Sequence, residues 1–323
     1  MSLWQPGAGF ARLQARAGLL AKLRHFFEQR NILEVETPLL CSAGITDPAI
    51  EPLIVSGGIS LDGNFRYLQT SPEYAMKRLL AAGSGPIYQI ARAFRDGEAG
   101  RRHNPEFSLL EWYRPGFDHH QLMDEVAALL CYCLDERASD RSWQKFSYRE
   151  VFINSLAMDP FTASDAQLQA RARQNHDLGT LEGGRDIWLD ILMTHDVEPW
   201  LAGQGLCFVY DYPASQAALA QIIEVDGVAV GQRFECYVDG IELANGYFEL
   251  TDASEQRARF EMDNRRRREA GQLERPVDEH LLSALAAGMP SCAGVALGID
   301  RLLMLVCGEG DIRQVLAFDW SRS

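Results

Sequence analysis

The stretch 93–113 constrains the fold of this chain more than any other part of the sequence. It places Arg95 before a short loop, and a basic and aromatic run then leads through Phe107 to further carboxylates. A planar guanidinium can clamp a phosphate, and an aromatic ring can stack under a purine. This order is typical of a nucleoside triphosphate held against a β-sheet. The alternative is a β-hairpin whose charged loop lies in solvent.

Composition favours a complete globular fold and excludes several functional classes. The 323 residues are 47% hydrophobic, yet no run of 18 apolar residues predicts a membrane span, and the N-terminus does not resemble a signal peptide. A net charge of −14 argues against non-specific nucleic-acid binding. The seven cysteines lack metal-type spacing, so we expect reduced thiols and a cytoplasmic protein.

Hydrophobic periodicity predicts the order of helices and strands. Apolar residues at steps of three and four predict a helix over 11–30, which Asn31 can close because asparagine tolerates the left-handed conformation. Residues 140–205 carry no chemical signal and are predicted to be an insertion of small helices. Further helices are predicted over 72–82, 121–137, 254–270 and from about Asp300, and strands over 32–38, 87–94, 108–113, 234–238, 241–250 and 295–297.

Two sets of charged residues each allow two interpretations of their function. Glu235 and Glu242 flank a predicted turn at Asp239-Gly240, so a hairpin would bring them together, where they would suit Mg²⁺ with phosphate and water as its other ligands. The alternative is that both are exposed strand residues. The basic run Arg265–Arg268 is interpreted as a solvated helix face, with a docking site for an acidic partner as the alternative.

Four segments together resemble the class II aminoacyl-tRNA synthetases, and their amino-acid sequences are most similar to those of the lysyl branch. Residues 11–38 resemble motif 1, residues 95–113 motif 2, and Gly294–Arg301 motif 3, while Gly240–Leu250 resembles a substrate-binding strand of lysyl-tRNA synthetases. The resemblance implies an α+β fold, the class II catalytic core, with a mostly antiparallel sheet flanked by helices. It also implies one catalytic domain over 1–323 and a homodimer formed through motif 1.

The resemblance implies ATP and Mg²⁺ as cofactors and assigns the site residues. A buried ammonium must be paired, so carboxylates at both ends of the pocket suit a diamine. Glu249 and Tyr113 would hold its side-chain amine, and Glu73 its backbone amine. Implied ATP contacts are Arg95, Asp96, Gly97, Glu98, His103, Asn104, Phe107, Glu242, Leu243, Gly298 and Arg301. Implied substrate contacts are Ser71, Pro72, Glu73, Tyr113, Asn245, Glu249 and Ala296, with Glu235 and Glu242 as metal ligands and Arg95, Arg301 and Glu242 as catalytic residues.

Two positions depart from the family pattern. Ala296 stands where lysyl-tRNA synthetases usually have glycine, and its methyl group would narrow the pocket near the substrate α-carbon. Moving the amino group to the β-position would relieve that clash, so this alanine suits a β-amino acid. The family usually has a glutamate two residues after the motif 2 arginine, where this chain has Gly97. Asp96 and Glu98 are the two candidates for the missing carboxylate.

Motif 1 begins within the first few dozen residues, so we expect no anticodon-binding domain before it. No stable tRNA binding is therefore expected. The chain resembles the truncated lysyl-tRNA synthetase paralogues, which activate (R)-β-lysine and attach it to a lysine side chain of elongation factor P. One alternative is a stand-alone α-lysine ligase with another acceptor. The other is a non-catalytic regulatory paralogue, although such proteins lose the motif 2 or motif 3 arginine and both arginines are present here.

Overall fold

The computed structural model describes residues 4–56, 65–134 and 143–323. The helices in these ranges are α1 (Phe10–Glu28), α2 (Glu73–Ala81), α3 (His119–Leu134), α4 (Tyr148–Leu156), α5 (Asp165–Asn175), α6 (Arg185–Leu192), α7 (Glu198–Leu201), α8 (Ala253–Glu269), α9 (Glu279–Gly288) and α10 (Ile299–Cys307). The strands are β1 (Leu33–Glu34), β2 (Leu40–Cys41), β3 (Ile54–Val55), β4 (Arg66–Leu68), β5 (Ile87–Phe94), β6 (Glu106–Pro115), β7 (Gln144–Ser147), β8 (Leu206–Pro213), β9 (Ile222–Val225), β10 (Val228–Val238), β11 (Ile241–Phe248) and β12 (Cys292–Gly298).

A large sheet forms the centre of the described part of the chain. Its strands lie in the order β1-β5-β6-β12-β11-β10-β8-β7, with β9 paired to β10 outside this path. The pairs β1–β5 and β7–β8 are parallel, and the pairs between them are antiparallel. A small sheet of β2, β4 and β3 lies apart. The predicted α+β fold, with a mostly antiparallel sheet flanked by helices, is confirmed.

The two faces of the large sheet have different roles because successive side chains of a strand point to opposite faces. On one face Leu110 and Trp112 of β6 are fully buried in the main core. Helices α1, α3 and α10 pack on this face and contribute Phe27, Leu122 and Leu302 to the same core. The opposite face presents the intervening residues of β6 and of its neighbours. That second face carries the functional site.

Most predicted elements are present, with adjusted ends. The predicted helices over 11–30, 72–82 and 254–270 appear as α1, α2 and α8. Asn31 has φ +52, so it adopts the expected left-handed conformation just beyond α1. The predicted strand over 32–38 is shorter and pairs only at Leu33–Glu34. The predicted helix over 121–137 is α3, and its last three residues lie outside the described ranges.

The insertion over 140–205 is helical as predicted, but it is joined to the main sheet. Its first described element is β7, which pairs in parallel with β8, and residues 140–142 lie outside the described ranges. Its helices have a hydrophobic core of their own, in which Phe152 and Trp188 lie with Tyr237 of β10. The hydrophobic pattern of the sequence did not predict the strands β7, β8 and β9 or the helix α9. β7 has four residues and β9 is largely exposed, so neither shows the alternation that identifies a half-buried strand.

The basic run on α8 is divided between solvent and the interior. Arg265, Arg266 and Arg268 are exposed, which confirms the solvated face for these three residues. Arg267 is fully buried, pairs with the carboxylate of Glu51, and donates to the carbonyl oxygen of Asp47 at 3.0 Å. The prediction is therefore wrong for Arg267, which ties α8 to the segment before β3. Across the described ranges, none of the helices combines the length and apolar character needed to cross a bilayer.

Candidate active site

A cavity of about 780 Å³ lies over the second face of the sheet, a volume typical of small-molecule sites. Most residues assigned from the sequence line it. Four do not: Pro72 is the N-cap of α2, Asp96 and Gly97 lie outside the lining, and Glu235 faces an adjoining cavity of about 220 Å³. The assigned residues that line the main cavity are Ser71, Glu73, Arg95, Glu98, His103, Asn104, Phe107, Tyr113, Glu242, Leu243, Asn245, Glu249, Ala296, Gly298 and Arg301.

Strand register brings residues that are distant in the sequence into one row. Ala296 of β12 pairs with Glu111 of β6 on one side and with Asn245 of β11 on the other. Asn245 in turn pairs with Glu235 of β10. Side chains in one such row across an antiparallel sheet share a face. The substrate strand, motif 2 and motif 3 therefore meet on the same surface.

A bulge between β10 and β11 decides which glutamates share this surface. Glu235 pairs with Asn245 and Tyr237 pairs with Glu242, so β11 contains one extra residue between these pairs. Strict alternation would send Glu242 and Asn245, three residues apart, to opposite faces, but the extra residue returns them to one face. The strands are joined through Asp239 and Gly240, both with positive φ (51 and 74), which confirms the predicted turn.

The amino-acid end of the cavity contains a buried cluster of charges. Lys77 of α2 lies with its Nζ 2.6 Å from Glu73 Oε1 and 2.5 Å from Glu249 Oε2. Lys77 and Glu249 are each 1% exposed. Burial opposes the charge on Lys77, but Glu249 and Glu73 outweigh it and raise the pKa of its ammonium. Burial raises the pKa of Glu249 to about 8.

Glu111 is a third carboxylate at this end. Tyr113 donates from its hydroxyl to Glu111 Oε1 at 2.7 Å, and Ser71 donates to Glu111 Oε2 at 2.7 Å. Burial, followed by repulsion from Glu73, raises the pKa of Glu111 to about 7. Removing these carboxylates from water is costly without a cation close by. The pocket is thus suited to bind positive charge.

Gly294 makes room for this end of the cavity. A Cβ placed on Gly294 would overlap both the ring of Tyr113 and Glu249 Oε1. Glycine is therefore required where the side chains of β6 and of the segment after β11 lie over β12. By contrast, the methyl group of Ala296, two residues further along β12, lines the cavity beside Glu111 and Asn245.

Arg301 lies at the opposite, nucleotide end. Its guanidinium donates to the carbonyl oxygen of Glu242 at 2.8 Å and lies 3.2 Å from that residue's Oε2. Its Nη2 is 2.7 Å from His103 Nε2, a contact that needs the ring nitrogen to be an acceptor. Burial and the charge of Arg301 lower the pKa of His103, consistent with a neutral ring. These contacts link motif 3 to the motif 2 loop.

Arg95 lies at the same end, close to Phe107. Its guanidinium carbon is 5.1 Å from the Phe107 ring centroid, and its Nη1 is 3.6 Å from Glu98 Oε1. Arg95 Nε is buried and has no hydrogen-bond partner among the described residues, so it retains a donor for a ligand. Within the described ranges, the side chain of Asp96 accepts a hydrogen bond only from the adjacent backbone N–H of Gly97, at 2.9 Å. This geometry favours Glu98 over Asp96 as the carboxylate that accompanies Arg95.

Asn104 is part of the cavity wall and also holds the C-terminal segment. Its side-chain amide donates to the carbonyl oxygen of Glu106 at 2.7 Å and accepts the backbone N–H of Trp320 at 2.9 Å. Any contact to a nucleotide would therefore come from its backbone or require these bonds to change. The assignment of Asn104 to the nucleotide stays a prediction.

The predicted metal ligands differ in their surroundings. Glu235 already accepts hydroxyl hydrogen bonds from Tyr212 at 2.7 Å and Tyr237 at 2.6 Å, and pairs with Arg233 at 2.5 Å. For Glu242, burial and the neighbouring charge of Glu235 raise the pKa, so a cation between them would relieve repulsion. No cluster of three or more potential metal-ligating side chains occurs within the described ranges. This donor set fits Mg²⁺ brought by phosphates, because protein sites often give that ion only one or two carboxylates.

Sequence reasoning assigned no role to three residues of this site. Lys77 and Glu111 belong to the amino-acid end, and Arg233 donates to Asn245 Oδ1 at 3.3 Å as well as pairing with Glu235. A usable signal existed for Lys77, since it follows Glu73 by four residues in a predicted helix. Arg233 and Glu111 needed the strand register, which the pattern does not provide.

Comparison with known proteins agrees with this geometry. The family described as tRNA synthetases class II (D, K and N) matches residues 8–322. A protein of Edwardsiella ictaluri named elongation factor P–(R)-β-lysine ligase is 48% identical over 100% of this chain and 99% of its own length. Proteins of the same name from Pectobacterium carotovorum (48% identical) and Salmonella typhi (47%) each match 99% of this chain and 98% of their own length.

Proposed function

The chain belongs to the class II tRNA synthetase family of the D, K and N type, and on that premise we propose that it is an ATP-dependent ligase. It activates (R)-β-lysine as an adenylate and transfers the β-lysyl group to a lysine side chain of elongation factor P. Relatives of this name match it over nearly their whole length. The observation that carries the substrate assignment is a pocket with buried carboxylates at the amino-acid end, opened by Gly294 and narrowed by Ala296.

The placement of the carboxylates suits a diamine. Glu249 and Tyr113 receive the side-chain ammonium, while Glu73 and Ser71 lie where the second ammonium would bind. The methyl group of Ala296 would crowd an amino group on the α-carbon, and an amino group on the β-carbon avoids it. The substrate carboxylate then points along the cavity toward Arg95.

In the first step, a carboxylate oxygen of β-lysine attacks the α-phosphorus of ATP. The bond from that phosphorus to the bridging oxygen breaks, and pyrophosphate leaves with the bonding electrons. Arg95 stabilises the charge that develops on the α-phosphate, and Arg301 binds the leaving pyrophosphate. Phe107 stacks on the adenine. Holding both reactants in line supplies much of the acceleration.

Mg²⁺ bound with ATP would be held by Glu242 and Glu235 and would neutralise phosphate charge. Arg301 releases Glu242 Oε2 when it turns to the phosphates, which leaves that carboxylate free for the cation. No protein nucleophile is needed.

In the second step, an unprotonated lysine amine of elongation factor P attacks the carbonyl carbon of the mixed anhydride. An amide bond forms, the bond to the phosphate oxygen breaks, and AMP leaves. The proton lost by the amine goes to solvent or to the departing phosphate. The products are β-lysyl elongation factor P and AMP.

We propose that the enzyme acts in the cytoplasm as a homodimer without stable tRNA binding. Leu33 of the motif 1 region is exposed, as are Leu39 and Leu40 just after it, and such apolar residues suit burial by a second copy. All seven cysteines, each within the described ranges, are unbonded, as expected for a reducing compartment.

The test is the intact mass of elongation factor P after incubation with this protein, ATP, Mg²⁺ and (R)-β-lysine, with α-lysine in parallel. One β-lysyl addition, more complete than with α-lysine, is expected. The Arg301→Ala variant should give no addition. AMP formation without addition would remove elongation factor P as acceptor but keep the adenylating chemistry. If neither AMP nor a mass addition is detected, the ligase activity is refuted and the regulatory paralogue is favoured.

A further inference from the structure

Lys77 lies behind the wall of the amino-acid pocket. It does not line the cavity, whereas its two partners, Glu73 and Glu249, do. It is 1% exposed and lies one helical turn after Glu73 on α2, with its ammonium behind the two glutamates. Any effect of Lys77 on the substrate must therefore be exerted through these two glutamates.

The ion pairs use one oxygen of each glutamate. Lys77 binds Oε1 of Glu73 and Oε2 of Glu249, which leaves the second oxygen of each carboxylate for the cavity. Glu249 Oε1 points to the space above Gly294, next to the ring of Tyr113. A single ammonium thus fixes the direction of both carboxylates and the distance between them.

The net charge of the amino-acid end of the cavity matches that of a substrate with two ammonium groups. Glu73, Glu111 and Glu249 bring three negative charges when ionised, and Lys77 brings one positive charge. Two negative charges remain, which equals the charge of two substrate ammonium groups. A buried ion cluster is stable only when its charges are paired, so a monoamine would leave one carboxylate unpaired.

The residue type supports this role. The chain has three lysines (Lys22, Lys77 and Lys145) against 28 arginines, since lysine and arginine together number 31. An ammonium is a compact charge that can bind two carboxylates on different sides, while a guanidinium favours bidentate pairing with one. Lys77 is also the buried member of the three.

We propose that Lys77 is a specificity-determining positioning residue, which orients Glu73 and Glu249 and sets the charge of the pocket to match a substrate with two ammonium groups. This inference rests on the proposed function of the site and adds a residue outside the cavity that determines which substrates it accepts.

The first experiment replaces Lys77 with methionine, which is unbranched and one atom shorter and removes the charge. Pyrophosphate release is measured with (R)-β-lysine and with 3-aminohexanoate, which lacks the ε-amine. The expected result is a KM for β-lysine raised roughly 10- to 100-fold, because Glu73 and Glu249 lose the ammonium that orients them and a charged hydrogen bond to the substrate is weakened or lost. The preference for β-lysine over 3-aminohexanoate should fall by a similar factor, with the KM for ATP within about twofold. The matched control is Lys145→Met, since Lys145 pairs with Asp124 at 2.6 Å on the surface.

A second variant, Lys77→Ala, separates charge from packing. Added propylammonium fills the space and restores the charge, whereas 1-propanol fills the space alone. Restored β-lysine KM, or restored folding where the variant is unfolded, with the ammonium and not with the alcohol supports the proposal. Equal rescue by both compounds, or an unchanged KM and preference in Lys77→Met, would overturn it. A wild-type protein that forms no β-lysine adenylate would instead refute the proposed function itself.

Discussion

The two ends of the cavity are built in opposite ways. At the amino-acid end, Lys77, Glu249 and Glu111 are at most 2% exposed and are paired with one another or with neutral donors. At the nucleotide end, the side chains of Arg301 and Arg95 are 21% and 28% exposed and are held by one or a few contacts. The buried end is set before the substrate arrives and selects it. The exposed end can exchange its internal contacts for those of ATP.

The largest effect is expected from Arg301→Ala, which tests the exposed end. The variant removes a charge that stabilises the leaving pyrophosphate, so kcat for adenylate formation should fall by at least about 10²–10³-fold. The β-lysine affinity, set at the other end, should remain within about threefold. Pyrophosphate release and calorimetric β-lysine binding measure the two quantities. Arg313→Ala, which removes an exposed arginine paired with Asp311, is the control. Unchanged pyrophosphate release in Arg301→Ala would contradict the assignment of motif 3.

Gly294→Ala should break the buried end and leave the exposed end intact. The added methyl group overlaps Tyr113 and Glu249, so the β-lysine KM should rise by about 10²-fold while ATP still binds. Equilibrium binding of each substrate to the variant checks this. The control is Gly203→Ala, because a Cβ there would meet nothing within 4 Å. Equal loss of both affinities would show that the two ends are not separable.

The contrast between the ends also explains what the sequence could predict. Arg95, Phe107 and Arg301 lie in contiguous motifs, and their chemistry can be read from residue type and spacing. Glu111 and Lys77 gain their roles only from strand register and from the packing of α2 against the sheet. Alternation alone also misplaces Glu242 relative to Asn245, because the bulge in β11 reverses the faces.

Similar limits apply to the fold. Helix α1 follows from periodicity because its buried residues lie on one face, whereas strands β6 and β12, which are buried along most of their length, were placed by the motifs they carry. The strands β7, β8 and β9 were missed because the first and last are short or exposed and β8 is buried on both faces along most of its length. The burial of Arg267 was unpredictable for a related reason, since its partner Glu51 lies more than two hundred residues earlier in the chain.

The buried end should couple substrate binding to proton release. In the empty pocket the pKa of Glu111 is about 7 and that of Glu249 about 8, so both carry a fraction of a proton near neutral pH. Two substrate ammonium groups lower both pKa values, and protons leave. The β-lysine affinity should therefore rise between about pH 6 and 8. Calorimetry in buffers of different ionisation enthalpy counts the protons released. ATP binding in the absence of the amino acid should release fewer protons. Equal proton release for ATP and β-lysine would contradict the difference between the two ends of the cavity.

The smallest effect is expected on the stability of the ligand-free protein. The folded pKa of Glu111 lies above the ordinary carboxyl value of 4.5, so the folded state binds more protons than the unfolded state between these values. Stability is then highest below that window and decreases as pH rises through about 7, by roughly 2 kcal/mol or a few degrees in Tm. Glu111→Gln should reduce the decrease between pH 5 and 8, and the part that remains is expected from Glu249, whose pKa burial raises to about 8. Asp311→Asn, where hydrogen bonding to Arg313 lowers the pKa to about 2, should leave the curve unchanged in that range. Saturating β-lysine should also flatten the wild-type curve, because its ammonium groups stabilise the ionised carboxylates. A wild-type curve that is flat without ligand would show that Lys77 already neutralises this pocket, and would contradict the proton release expected at the buried end.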